Sequence, residues 1–328
     1  MSSSEQILTV TPNPAIDQTL EIADFAVGQV NRVLSRRTDA GGKGINVGTI
    51  LADLDLPVAV TGFLGSGNAA IFEEHFAARK LRDHFLRVPG TTRSGLKIVD
   101  TVSRETTDIN FPGVQVQADQ AAQLLRTVEA LSPQSGWAVL SGSLPQGLGA
   151  DFYAKLIHAV QARGGRVVLD TSGEPLCHAI QARPEILKPN RAELEELLGK
   201  RVRTSQEVFE AAAQLLVGNT RLVVVSMGAE GALFVDRDHA LLATPPLVPV
   251  LSTVGAGDAM VAGIVWSLLQ GMDLSHVARW STAFGAYAVT CCGASIEMPA
   301  VQALMEQVKV STLESNTITD RAIAVQGV

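Results

Sequence analysis

The sequence is poor in the residues typical of secreted, metal-binding and nucleic-acid-binding proteins. Its three cysteines and six histidines fall at no metal-ligand spacing. Cys177, Cys291 and Cys292 are expected to be buried thiols in a reducing compartment. Acidic residues outnumber Lys and Arg by 33 to 26. We therefore expect neither a nucleic acid nor an anionic membrane surface as the main partner.

Long apolar runs are also missing. The longest, around residues 259–269, is shorter than the roughly 20 residues that span a bilayer. The first residues show neither the basic segment nor the long apolar segment of an export signal, so a cytoplasmic location is expected. A chain that is 46% hydrophobic and 18% charged nevertheless has enough apolar residues for a large core.

Short apolar segments rich in β-branched residues alternate with amphipathic segments of helix length. The first kind includes ILTVT, WAVLS and RVVLD, and the second includes ADQAAQLLRTVEAL and SQEVFEAAAQLLVG. Buried parallel strands joined by crossover helices give this alternation. The sequence predicts an α/β fold with a doubly wound, mostly parallel sheet.

Two segments, residues 19–40 and 94–113, instead alternate like half-exposed strands. They predict a small β-sheet lid over the carboxyl ends of the main strands, where ligands bind in such folds. A projecting lid exposes an apolar face, which predicts a homodimer formed through paired lids. Residues 311–328 are polar and are expected to form a flexible tail.

The stretch VGAGDAMVAG predicts an anion hole at the start of a helix. Gly255, Ala256 and Gly257 would direct backbone N–H groups and the helix dipole at an anion. Asp258 would then take a proton from a hydroxyl that attacks a phosphoryl group. We expect the helix dipole to lower the pKa of this carboxylate. The alternative is that Asp258 only caps the helix.

A second glycine cluster, AGGKGINVG, precedes another predicted helix. Gly41 and Gly42 permit close approach to a ligand, Lys43 suits a phosphate, and Asn46 suits sugar hydroxyls. Gly44 follows the lysine where a P-loop has Ser or Thr, so this is not a P-loop. An ordinary glycine turn is the alternative.

The stretch LGSGNAA supports a rival function. Gly65, Gly67 and Ala70 fit a dinucleotide-binding pattern, and Asp83 follows at a suitable distance. An NAD-dependent oxidoreductase would use such a turn. The turn follows the second main strand rather than the first, which disfavours this interpretation.

Further polar residues lie at strand ends and in the predicted lid. Asp17 follows the first strand and can bind sugar hydroxyls, and Arg93 and Arg32 can bind a phosphate. Lys97 is expected on the opposite strand face from Arg93 unless a bulge follows Gly95.

KPNRAE and SMGAEG suggest where a nucleotide and its metal would bind. In KPNRAE, Asn190 and Glu193 either organise hydrated Mg²⁺ near Lys188 or cap a helix. In SMGAEG, residues 226–231 form a turn between two strands, and its backbone suits a nucleotide.

Taken together and in order, GGKGIN, KPNRAE, SMGAEG and STVGAGDAMVAG resemble the PfkB family of ribokinase-like sugar kinases, over about Ile7 to Lys309. The resemblance implies a ribokinase-like kinase domain over residues 1–310, with ATP and Mg²⁺ as cofactors and a phosphosugar as the small-molecule substrate. Asp258 would be the general base and Glu193 would hold the metal through water. The residues implied for the sugar are Asp17, Gly41, Gly42, Lys43, Asn46, Arg93 and Arg32. Those implied for ATP are Lys188, Asn190, Ser226, Met227, Gly228, Ala229, Glu230, Gly231 and Gly257.

Within the family, TPNPAID, DTSGEPL and TDINFPG are most similar to members that phosphorylate fructose 1-phosphate at C6. Asp108 and Asn110 in the second lid segment suit hydroxyls better than a second phosphate. Gly95 is a departure, since relatives often carry Asn there. The alternatives are kinases of fructose 6-phosphate or tagatose 6-phosphate and, more remotely, a non-catalytic sugar-phosphate sensor.

Overall fold

The computed structural model describes residues 7–132, 136–291 and 293–313. In chain order, the strands are β1 (Ile7–Thr11), β2 (Ala15–Ile22), β3 (Val33–Gly41), β4 (Val58–Gly65), β5 (Arg82–Asp83), β6 (Leu86–Val88), β7 (Arg93–Asp100), β8 (Thr106–Asn110), β9 (Trp137–Ser141), β10 (Arg166–Asp170), β11 (Ile186–Leu187), β12 (Leu222–Ser226), β13 (Ala232–Val235), β14 (Ala240–Thr244) and β15 (Lys309–Thr312). The helices are α1 (Lys43–Asp53), α2 (Ala70–Ala78), α3 (Ala118–Leu131), α4 (Phe152–Ala162), α5 (Gly173–Gln181), α6 (Arg191–Leu198), α7 (Ser205–Ala213), α8 (Ala256–Leu269), α9 (Leu274–Ala288) and α10 (Met298–Met305).

The main sheet has eleven strands in the order β15-β14-β13-β12-β11-β10-β9-β1-β4-β5, with β6 also paired to β4. From β12 to β5 every neighbouring pair is parallel, whereas β13, β14 and β15 are antiparallel. The predicted α/β class and mostly parallel sheet are therefore confirmed.

Apolar side chains cover both faces of the main sheet. In β1, Ile7 belongs to the core under α1, α8 and α9, while Leu8 and Val10 belong to the core under α3 to α7. Successive strand residues point to opposite faces, so a strand covered on both sides must be apolar throughout. For this reason, apolar and polar residues do not alternate along the predicted strands.

The second sheet has the order β3-β2-β7-β8 and is formed by the two segments predicted to make a lid. Its first strand begins at Ala15, earlier than predicted. β2 follows β1 after a short turn, and β3 runs into α1. The sheet is therefore joined to the carboxyl edge of the main sheet at both ends of this excursion.

Two expectations about the chain's periphery were wrong. The main sheet extends into the predicted tail, because Ser311 and Thr312 of β15 pair with β14. Residues 314–328 of that tail lie outside the described residues. Cys177 is exposed and Cys291 is only half-buried, so neither is the buried thiol that was expected. Cys292 lies outside the described residues.

No helix among the described residues combines the length and the apolar character needed to cross a membrane.

Candidate active site

The predicted polar residues converge at the carboxyl edge of the parallel strands. β10 ends at Asp170, and Lys188 directly follows β11. Helices α1 and α8 begin at the same edge, which brings Lys43 and Asp258 into the cluster. Ligands bind at this edge in open α/β sheets.

A buried carboxylate joins two lysines at the centre of this cluster. Asp170 is 2% exposed, and its Oδ1 lies 2.9 Å from Nζ of Lys43. Its Oδ2 lies 3.5 Å from Nζ of Lys188, which is itself buried. Burial acts to raise the pKa of Asp170, but the two ammonium groups outweigh it and hold that pKa below the ordinary value. Three separate chain segments are thereby held together by charge.

Asp258 lies in the first turn of α8 and is buried. Its Oδ2 accepts a hydrogen bond from Nδ2 of Asn46 at 2.7 Å. The expectation of a lowered pKa was wrong, because burial, followed by the charge of Asp170, raises the pKa of Asp258 to about 6. The hydrogen bond from Asn46 and the two lysines oppose this shift without cancelling it. A carboxylate with this pKa is a stronger base than an exposed aspartate and is still ionised at neutral pH.

The start of α8 leaves backbone donors available beside this carboxylate. Gly255 caps the helix with a φ of 83°, a left-handed conformation that favours glycine. Among the described residues, no side chain caps the helix, so the N–H groups of Ala256 and Gly257 are left for an anion. Nζ of Lys188 lies 3.4 Å from the point where a Cβ of Gly257 would stand. A cation therefore flanks the predicted anion hole.

The lid contributes a second polar cluster. Asp17 lies on β2 and pairs with Gly95 on β7, next to Arg93. Burial raises the pKa of Asp17, and Lys97 and Arg93 partly oppose that shift. Nε of Arg93 is buried without a hydrogen-bond partner among the described residues. Nη1 and Nη2 donate to the carbonyls of Phe111 and Asn13 at 3.5 and 3.4 Å, longer than an ordinary hydrogen bond. The protein therefore holds the guanidinium only weakly.

Lys97 belongs to this cluster, contrary to the sequence-based expectation. Residues separated by two or four positions in a strand share one face, so Arg93, Gly95 and Lys97 all face Asp17. Nζ of Lys97 also lies 3.4 Å from Oδ1 of Asp108 on β8. The lid thus presents two cations to the ligand, not one.

Arg32 lies away from this cluster. It is exposed and directly precedes β3, whereas Gly41 at the other end of that strand reaches the site. Nine residues of extended chain separate them, a distance of roughly 30 Å. Within a single chain, Arg32 is not brought to the residues predicted to bind the sugar.

Asn190 and Glu193 form a capping box at the start of α6. Oδ1 of Asn190 accepts from the N–H of Glu193 at 2.9 Å, and Oε2 of Glu193 accepts from the N–H of Asn190 at 2.8 Å. The capping alternative is therefore correct, and it leaves Oε1 of Glu193 outside the box. Burial lowers the pKa of Lys43, but the charges of Asp170 and Asp258 outweigh it and raise this pKa, with a smaller contribution from Glu193.

The SMGAEG turn connects β12 to the antiparallel strand β13, as predicted. Ser226 pairs with Asn190 at the carboxyl edge of the sheet. Glu230 is engaged by Arg191 through two contacts of 2.8 and 2.7 Å, which fixes the turn against α6. The turn's remaining residues, Met227, Gly228, Ala229 and Gly231, lie beside these two side chains.

The glycine turn after β4 does not offer a dinucleotide site. A Cβ added to Gly65 would lie 2.3 Å from backbone atoms of Thr91 and Thr92. The N–H of Gly67 donates to the carbonyl of Gly90 at 2.9 Å. Residues 90–92 thus occupy the space that a pyrophosphate would need, which removes the main support for an oxidoreductase.

Two residues of the site, Asp170 and Lys97, were missed in the sequence. The signal for Asp170 was present: RVVLD is an apolar strand that ends in a carboxylate at the ligand edge of the sheet. Lys97 was predicted on the wrong face of β7, because residues four positions apart in a strand lie on the same face.

The sequence profile of the pfkB family carbohydrate kinases matches residues 10–301. The chain belongs to this family. It is 47% identical to the 1-phosphofructokinase of Rhodobacter capsulatus over 310 residues, which cover 94% of this chain and 98% of that one. It is 48% identical to the 1-phosphofructokinase of Xanthomonas campestris over 293 residues, 86% of this chain and 90% of that one. The structure of the tetrameric inhibited form of phosphofructokinase-2 from Escherichia coli superposes with a TM-score of 0.85 at 29% identity, covering 92% of this chain and 98% of that one.

Membership of the pfkB family confirms the predicted enzyme class. The protein is a phosphotransferase that acts on an alcohol group of a carbohydrate, with ATP as the phosphate donor. The predicted ribokinase-like fold, with a large mostly parallel sheet and a smaller separate sheet, is also confirmed.

We predict that Asp170→Asn lowers the pKa of Asp258 by about 1 unit. The substitution removes a negative charge that raises this pKa and leaves the charges of Lys43 and Lys188 without their partner. NMR titration of protein with ¹³C-labelled aspartate carboxyl groups measures the shift, and Asp258→Asn assigns the signal. Asp238→Asn, at an exposed turn, is the control. An unchanged or higher pKa of Asp258 would contradict the prediction.

Proposed function

We propose that the protein transfers the γ-phosphoryl group of ATP to the C6 hydroxyl of fructose 1-phosphate, forming fructose 1,6-bisphosphate. The observation that carries the proposal is the cluster of Asp258, a free helix N-terminus and two lysines, facing a lid that offers a carboxylate and two cations. The names of the most similar relatives support the choice of sugar.

Asp258 is the proposed general base. Its carboxylate is held by Asn46, and its raised pKa suits removal of a proton from the attacking C6 hydroxyl. The N–H groups of Ala256 and Gly257 would stabilise the negative charge that develops on the transferred phosphoryl oxygens. Lys43 and Lys188 supply positive charge to the same region.

The lid is proposed to hold the sugar phosphate. Arg93 can bind a phosphate through two parallel N–H contacts, because the contacts of its Nη1 and Nη2 with the carbonyls of Phe111 and Asn13 are long, at 3.5 and 3.4 Å, and can be exchanged for a ligand. Gly41 lies across β2 from Arg93, since both pair with Ala15, and Asp17 lies two residues further along the lid. Together with Gly42 and Asn46, which donates to Asp258, these residues are proposed to bind the sugar hydroxyls. If Arg93 holds the C1 phosphate, the C6 hydroxyl is left to face Asp258.

The same site is proposed to hold ATP with Mg²⁺. Mg²⁺ keeps several of its waters and binds to proteins through one or two carboxylates together with substrate phosphates. Oε1 of Glu193 lies outside the capping box, and the charge of Glu193 acts on Lys43, so this carboxylate is proposed to hold Mg²⁺ through water. Lys188, Asn190 and residues 226–231 would line the nucleotide.

Asp258→Asn is predicted to have opposite effects on activity and stability. Loss of the base should lower kcat by about 10² to 10⁴ and leave the affinity for the sugar nearly unchanged. The neutral amide avoids burying a charge and can still accept from Asn46, so the variant should be more stable at pH 7.5. Since the pKa of Asp258 is raised from 3.8 to about 6, the gain is at most about 3 kcal/mol.

The difference in stability between the wild type and Asp258→Asn is predicted to depend on pH. Between pH 4 and 6 the folded wild type binds more protons than its unfolded chain, so its stability falls as the pH rises through that window. The stability of Asp258→Asn does not fall in this window. Urea unfolding at pH 4 and 7.5 should therefore give similar stabilities at the lower pH and a more stable variant at the higher one. A kcat loss under tenfold would reject Asp258 as the base.

The choice of substrate is tested by coupled ADP release with purified hexose phosphates. We predict that kcat/KM for fructose 1-phosphate exceeds that for fructose 6-phosphate and for tagatose 6-phosphate by at least about tenfold. The physical reason is that Asp108 and Asn110 on β8 offer hydroxyl partners and no second arginine. Equal or reversed kcat/KM ratios would reject fructose 1-phosphate as the preferred substrate. Only the broader assignment as a sugar-phosphate kinase would then remain.

We also propose that two chains pair through their lids. Several large apolar side chains of the lid region are exposed, among them Val27 at 91%, Val30 at 83% and Leu34 at 64%. Exposed apolar patches of this kind are typical of interaction sites, and a second lid can cover them symmetrically. A dimer would also cover the edge strands β3 and β8.

Light scattering at micromolar concentration should give twice the chain mass of 34.6 kDa. Leu34→Glu should shift the protein toward the monomer, because it places a charge in the proposed interface. Val217→Glu is the matched control, since Val217 is also exposed but lies outside the lid. A monomeric wild type would overturn the proposal.

A further inference from the structure

The glycine turn after β4 holds the segment that leads into the lid strand β7. Between β6 and β7 the chain passes over this turn, where the N–H of Ser66 donates to the carbonyl of Val88 at 2.9 Å. A Cβ at Gly65 would overlap the backbone of Thr91 and Thr92. The turn is therefore rich in glycine because another segment of the same chain packs against its backbone.

Asn68, the last polar residue of this turn, binds both backbone groups of Thr92. Its Oδ1 accepts from the N–H of Thr92 at 2.7 Å, and its Nδ2 donates to the carbonyl of the same residue at 2.9 Å. A side-chain amide has an acceptor and a donor side by side, so it can pair with both groups of one residue. The hydroxyl of Thr92 in turn accepts from the N–H of Gly65 at 2.9 Å. These hydrogen bonds fix Thr92, which is only 4% exposed, to the main domain.

The residue fixed in this way, Thr92, directly precedes Arg93, the first residue of β7. The side chain of Arg93 is held only by the long contacts with the carbonyls of Phe111 and Asn13. Its own contacts therefore do little to set its position, and the backbone from which it extends matters more. Because Thr92 is bound to the main domain, that backbone has a fixed position relative to Asp258, which the same domain carries.

We propose that Asn68 and Thr92 are positioning residues for the sugar phosphate: they fix the start of β7 to the main domain and so set the point from which Arg93 reaches the C1 phosphate. This inference rests on the proposed function and deepens it, because it adds residues that act through Arg93 without contacting the ligand. An arginine that is already ordered loses less conformational entropy on binding than a mobile one. Loss of the Asn68 amide should therefore weaken binding of the sugar phosphate and leave the chemical step unchanged.

The first test is Asn68→Ala, assayed by coupled ADP release. KM for fructose 1-phosphate should rise about fivefold or more, with kcat and KM for ATP within about twofold of wild type. Gln161→Ala is the matched control. Gln161 also donates through a side-chain amide to backbone carbonyls, those of Ala182 and Arg183, but at the opposite edge of the main sheet. A wild-type KM in Asn68→Ala, or an equal rise in Gln161→Ala, would overturn the inference.

A double-mutant cycle with Arg93→Ala separates positioning from a general loss of structure. In the Arg93→Ala background, Asn68→Ala should change KM for fructose 1-phosphate by less than about twofold, because the side chain that Asn68 positions is gone. A general structural defect would instead raise KM by the same factor in both backgrounds. Equal factors would therefore contradict the proposed role of Asn68.

Thr92 provides a second pair of variants, which also serves if Asn68→Ala does not fold. Thr92→Ser keeps the hydroxyl that accepts from the N–H of Gly65, whereas Thr92→Val has nearly the shape of threonine without that hydroxyl. KM for fructose 1-phosphate should rise in Thr92→Val and stay near the wild-type value in Thr92→Ser. Equal KM values in the two variants would count against the inference.

The outcomes distinguish failure of the inference from failure of the proposed function. A wild-type enzyme inactive on fructose 1-phosphate rejects the proposed substrate before any variant is compared. An Arg93→Ala variant with a wild-type KM rejects the phosphate-binding role of Arg93, and the inference with it. An active wild type whose KM rises on loss of Arg93, but not on loss of the Asn68 amide or the Thr92 hydroxyl, rejects only the positioning role.

Discussion

The buried carboxylate of Asp170 is the interaction on which the site's geometry depends. It neutralises Lys43 at the start of α1 and Lys188 after β11, and so fixes two segments that are distant in sequence. Removing one charged group from this buried cluster leaves the other charges buried without a partner. This costs far more stability than the loss of an exposed ion pair. Burial, and after it the charge of Asp170, raises the pKa of Asp258, whereas the two ammonium groups act to lower it.

Much of the fold could be predicted because the hydrophobic pattern determines it. Strands such as WAVLS are apolar throughout, and a strand of that kind is stable only when helices cover both faces of the sheet. The lid was predicted from the opposite pattern, alternation. The end of β15 was missed because this edge strand, KVST, is short and has only one apolar residue, so it resembles a loop in sequence.

The site was predicted residue by residue where a motif marks the chain, as at Asn46 and Asp258. The pKa values of these residues could not be predicted in the same way, because a pKa depends on burial and on partners far away in sequence. Asp258 has a raised pKa for that reason, although its helix position alone suggests the reverse. The sequence left open whether Asn190 and Glu193 cap a helix or bind a ligand, since a capping box and a ligand pair use the same residue types, and the structure shows the capping box.

The junction between the lid and the main domain is unusually short. β3 ends at Gly41 and α1 begins at Lys43, so Gly42 alone separates the strand that covers the ligand from the helix that carries Asn46. Gly42 has a φ of 133°, a conformation open mainly to glycine. A side chain at this position would also lie 2.9 Å from Cγ2 of Thr11. A substitution of Gly42 would therefore disturb the lid strand and the helix that carries Asn46, the hydrogen-bond donor to Asp258, at the same time.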